Sequence, residues 1–169
     1  MDEFDQIETG QPDNSDDGNP EDIPFHQRAL EPVRDALTAA GFYAYGTLDD
    51  RGRWTIAADD EAGHVDVRIG SDGYAIEVWG TSPGLYADEE VDFRRRALER
   101  LVRMTLPAVN RGMLAPHQVA LWDETEAGVQ VRLTSELPFN RLGDIGAFAR
   151  ERLVELEETL AFVESQVTA

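Results

Sequence analysis

His64, Asp66 and Glu77 are the residues whose types and spacing come nearest to a reactive set. An imidazole beside carboxylates is what general acid–base work draws on, and it is also a start toward cation binding. Alternation along two neighbouring strand-like segments puts all three on the polar side of a sheet. The chain carries 34 Asp and Glu, however, so a carboxylate near any histidine is expected from composition alone. A solvated structural cluster is the competing reading, and no perturbing environment can be argued from the sequence against it. His26 and His117 stand at no spacing used by zinc or metalloprotease motifs. Ser71 and Ser82 have neither a nucleophile elbow nor a placed base. Gly41 and Gly46 lie between a helix and a strand, the reverse of the order a phosphate loop requires. Cysteine is absent, which removes disulfides, thiolate metal sites and cysteine nucleophiles. The sequence thus nominates no catalytic residue, metal ligand or cofactor, and a non-enzymatic protein is expected.

Two further groups suit recognition rather than chemistry. Arg94, Arg95, Arg96, Arg100 and Arg103 share one helical segment, and Arg96, Arg100 and Arg103 fall on one face, where they could grip an acidic partner or nucleic acid. Against this, Asp92 and Glu99 stand four residues before Arg96 and Arg103, the favoured order for helix ion pairs. Trp79 and Trp122 are placed by alternation on the side of their strands opposite the aliphatic residues. If helices cover one sheet face only, both indoles mark a partner-binding surface on the other. Cover by a loop or by the chain's own tail is the alternative.

The elements that position these residues can be read from changes of period. Residues 1 to 22 hold nine acids and no Arg, and cannot bury enough apolar surface to offset ordering, so a disordered acidic tail is expected there. A helix follows through Phe25, Ala29, Val33, Ala36, Leu37 and Ala40, with Gly41 as C-cap and Pro32 leaving its start open. Three alternating segments around Trp54–Ala58, Val65–Ile69 and Tyr74–Val78 form an antiparallel meander, extended by residues 43–48 if those also pair. Asp88 then caps a second helix whose buried stripe is Val91, Leu98, Leu101, Val102, Thr105 and Val109, and which must end or kink at Pro107. A hairpin pairs Val119 and Leu121 with Val129, Val131 and Leu133. A last helix, from about Leu142 to Val167, carries a seam at gaps of three and four. Phe148, Val154 and Phe162 lie off that seam, so Phe148 and Phe162 join the tryptophans as candidate partner contacts. The fold class is α+β, with one domain over residues 23–169.

Composition narrows the partners. The 15 basic residues are all Arg, and the net charge of −19 opposes nucleic-acid and anionic-membrane binding. Loss of Lys with surplus acid is what a salt-filled cytoplasm favours, although a high-GC genome produces the same bias. No apolar run approaches the ~18 residues of a membrane span. Met1-Asp2-Glu3-Phe4-Asp5 has neither the basic start nor the apolar run of a signal peptide, so a cytoplasmic protein is expected.

The order helix, three strands, helix, two strands, long helix resembles the YbjN-like domain family, which shares the fold of type III secretion chaperones. The resemblance runs from about Ile23 to Val167. Its strongest part is Leu106-Pro107-Ala108-Val109-Asn110, the hairpin Gln118 to Asp123 and Gly128 to Leu133, then Glu136-Leu137-Pro138-Phe139 and the final helix. It implies a non-enzymatic domain that binds other proteins, often as a homodimer, with an adaptor or regulator role. The chain departs from the secretion chaperones in its long acidic tail.

Overall fold

Helical spacing gives way to alternation at Gly41, and the local hydrogen bonds show why the change is abrupt. Gly41 adopts φ of 101°, the Gly41 N–H donates to Thr38 C=O at 3.0 Å, and the Phe42 N–H donates to Leu37 C=O at 3.0 Å. This paired closure satisfies the last carbonyls of the helix and needs a residue without Cβ at the turn. The computed structural model describes residues 18–82 and 92–168. In chain order its elements are α1 (Ile23–Ala39), β1 (Tyr43–Leu48), β2 (Trp54–Asp60), β3 (Gly63–Ile69), β4 (Gly73–Ser82), α2 (Asp92–Gly112), β5 (Gln118–Asp123), β6 (Gly128–Pro138) and α3 (Ile145–Thr168). A 3₁₀ turn precedes α1 at Pro20–Asp22, and another precedes α3 at Phe139–Asp144.

The α+β layout is a helix, an antiparallel meander, a helix, a hairpin and a long C-terminal helix, as expected. Residues 43–48 do extend the meander, and β6 returns beside β4, so all strands join one six-stranded sheet of order β1-β2-β3-β4-β6-β5. Every neighbouring pair is antiparallel. The helices form a single layer: α1 lies over β1 to β3, α3 over β3, β4 and β6, and α2 over β5. Leu30, Val33 and Leu37 of α1, Ile145, Ala149 and Leu153 of α3, and Ile56, Val67, Ile76, Val78, Val131 and Leu133 of the sheet belong to one buried core. Each fully buried aliphatic side chain contributes roughly 1.5–3 kcal/mol.

Three expectations about element limits change. Pro107 does not end α2, which runs on to Gly112 with the proline inside it. Pro107 is exposed, so the Arg103 carbonyl that loses its helical donor can be hydrated instead. Leu142 belongs to the 3₁₀ turn rather than to α3. The folded part begins before Ile23, since the Gly18 N–H donates to Arg51 C=O at 2.8 Å. The acidic stretch before Gly18, the Asp88 cap with Glu89, Glu90 and Val91, and the side chains of Asp92 and Arg94 lie outside the described residues.

Candidate functional site

The face of the sheet turned away from the helices carries the polar residues, and strand register decides which of them meet. Asp59 pairs with His64 across the β2–β3 turn, and Asp66 pairs with Glu77 between β3 and β4. His64 Nδ1 lies 2.6 Å from Asp59 Oδ1, and His64 Nε2 lies 2.8 Å from Asp66 Oδ1. The Asp66 hydrogen bond is the main reason the imidazole pKa rises to about 9; burial opposes the shift and the Asp59 bond adds to it. With both ring nitrogens donating, His64 is an imidazolium at neutral pH and has no lone pair for a base. The arrangement clamps β2 to β3. Glu77, expected in this cluster, instead accepts from Arg132 Nη1 at 3.3 Å and faces Arg68 Nη1 at 3.7 Å. No pattern in the sequence marks Asp59, although the tight Asp60–Gly63 turn sets a register that places it opposite His64.

Trp79 stands on this open face, 39% exposed, with the Arg132 guanidinium 5.7 Å from its ring centroid. Trp122 does not join it. Ala120 and Trp122 point toward the helices and pack on the core, whereas Val119 and Leu121 are exposed. The reason lies in Asn110 of α2, whose Oδ1 accepts from Ala120 N–H at 2.8 Å and whose Nδ2 donates to Ala120 C=O at 2.7 Å. A small residue at 120 lets the helix come close enough for that bond, and the inward side of β5 is fixed by it. Phe148 is half-buried, with the Arg152 guanidinium 5.0 Å from its centroid. Phe162 is exposed and rims a shallow groove with Met113 and Leu114.

α2 presents a different surface from the one its sequence suggested. Val102, Leu106 and Val109 are buried, but Leu101, expected in the buried stripe, is 55% exposed. Together with Phe93 and Met104, each 71% exposed, it forms a second apolar stripe turned away from the core. Arg96, Arg100 and Arg103 are all exposed beside it, on the next column of the helix. Arg103 is answered by Glu99 on its own helix at 3.3 Å and by Glu124 of the β5–β6 turn at 3.0 Å.

No protein-family model, curated protein or solved structure matches the chain. Among the described residues no helix is long and apolar enough to cross a membrane, and no group of three or more His, Asp or Glu is placed to hold a metal ion.

Proposed function

We propose that this chain is a non-enzymatic, chaperone-like adaptor or regulator that acts in the cytoplasm as a homodimer and binds a segment of another protein. The observation that carries the reading is the outer stripe of α2, where Phe93, Leu101 and Met104 stand exposed on a helix already anchored to the core by its opposite side. A helix apolar on two stripes touches two surfaces. In a chain of net charge −19 two copies repel overall, and Arg96 and Arg100 beside this stripe lower the local negative charge and can pair with acids of the second copy. The resemblance to YbjN-like domains rests on the same order of elements and supports the same reading. Trp79 on the open sheet face is the contact offered to the partner segment.

Light scattering on the eluting protein, in ~0.2 M salt to screen self-repulsion, is expected to give twice the chain mass. Met104→Glu places a charge in the contact and is expected to weaken association ~100-fold or more, with an unchanged circular dichroism spectrum. A wild-type monomer at tens of micromolar overturns the dimer. A photo-crosslinker replacing Trp79 that yields no polypeptide adduct overturns partner binding.

A further inference from the structure

A cavity of about 640 Å³ opens at one end of the sheet, away from the His64 clamp and from α2. Three stretches of chain that are distant in sequence build it: the start of α1 with Asp22, Ile23 and His26, the start of β2 with Arg53 and Trp54, and the end of β3 with Arg68 and Ile69. Its volume falls in the range of small-molecule sites, roughly 300–1,000 Å³. The polar lining is rich in donors that nothing in the described chain satisfies. The Arg68 side chain is only 14% exposed, yet its one described partner is Glu77 at 3.7 Å, beyond hydrogen-bond length. A guanidinium has five N–H donors, and those of Arg68 keep access to solvent, so a bound acceptor can take the place of water there. Asp49 takes only the Nε of Arg53, at 2.8 Å, which leaves the two terminal NH₂ groups of that side chain outside the pair. Among the described residues the Trp54 indole N–H and the His26 ring also make no hydrogen bond. Ile23, Ile69 and the indole face supply an apolar wall beside these donors.

We propose that this cavity binds a small organic oxyanion, a carboxylate or a phosphate ester, with Arg68 and Arg53 gripping the anionic group and Trp54 and Ile69 holding its apolar body. Planar guanidinium forks match both kinds of oxyanion. Asp22 is the one carboxylate among the described lining residues, and it disfavours a polyphosphate. The site goes beyond the protein-binding reading and stands or falls separately from it.

Titration calorimetry at constant ionic strength, with phenyl phosphate, benzoate and inorganic phosphate as probes, tests the proposal on the full chain. At least one of the two organic probes is expected to bind one per chain with Kd near or below ~1 mM, and the stronger of them separates phosphate ester from carboxylate. Inorganic phosphate, which has no apolar body, is expected to bind at least tenfold more weakly. Arg68→Gln should weaken binding tenfold or more, while Arg141→Gln, an exposed arginine paired with Asp144, should not change it. Should Arg68→Gln not fold, the NMR shifts of the wild type decide: the Trp54 indole signal and the Ile69–Ser71 amides move on saturation and those of Trp79 do not. No saturable binding by either organic probe overturns the proposal, as does binding that Arg68→Gln leaves intact or that moves signals elsewhere. Either result leaves the dimer mass untouched and so does not bear on the proposed protein-binding role.

Discussion

The imidazole of His64 is bonded at both nitrogens, to Asp59 and to Asp66, so its charge is the quantity that pH controls. An unfolded histidine titrates near ~6.5, whereas this one holds its proton to about 9. Below ~6.5 both states are protonated and the ion pairs contribute in full. As pH rises through the folded value of about 9, the native state gives up the proton and the contribution is lost. Asp59 is half-exposed, so solvent screening reduces the stabilisation to about 1–2 kcal/mol. Urea unfolding of wild type and His64→Gln is expected to differ by that amount at pH ~6 and to converge by pH ~10. A difference that stays constant across the range would show that the imidazole acts through packing rather than charge.

The same reasoning at the level of elements concerns how α2 holds β5, the outermost strand beside β6. An edge strand presents unpaired N–H and C=O groups that template association with another chain. At Ala120 these groups are met by the Asn110 amide, which also donates to Leu106 C=O at 3.0 Å. Asn110→Ala leaves both Ala120 groups without their partner, at a cost of about 1–3 kcal/mol. The expected result is a lower thermal midpoint and faster amide exchange at Ala120 than at its neighbour Leu121; unchanged exchange at Ala120 would show that water serves the strand equally well. This contact also marks where sequence reading reaches its limit. Alternation gave β2, β3, β4 and β6 their faces because large aliphatic residues fill the inner side of each. It failed on β5, where the inward residues are Ala120 and Trp122 and a side chain ten positions earlier decides the orientation. With Phe93 and Met104 included, the apolar residues of α2 span an arc too broad for period alone to find its centre, and period alone puts Leu101 in the core. The cavity is invisible in the sequence, since His26, Trp54 and Arg68 are far apart along the chain and meet only through the pairing of the strands and the approach of α1.

For the molecule as a whole the deciding quantity is charge. Residues 1–22 hold nine of the 34 acids and no Arg, leaving 25 acids against 15 arginines, or −10, for the rest. Two electrostatic effects then oppose one another when salt is added. Close pairs such as Arg150–Asp60 at 2.8 Å and Arg53–Asp49 at 2.8 Å lie well inside the screening length even at ~0.5 M, and lose little. Repulsions among carboxylates spread over the surface act across ~10 Å or more and are largely removed above ~0.1 M. Salt therefore removes more repulsion than attraction, and stability is expected to rise. Between about 0.02 and 0.5 M KCl, a gain of about 1–2 kcal/mol corresponds to a Tm increase of roughly 3–8 °C for a domain of this size. Keeping KCl below ~0.5 M separates this response from the salting-out of apolar surface, which needs higher concentration. Scanning calorimetry over that range checks it, and a flat or falling Tm would assign the Arg-for-Lys bias to base composition of the gene rather than to a salt-filled cell.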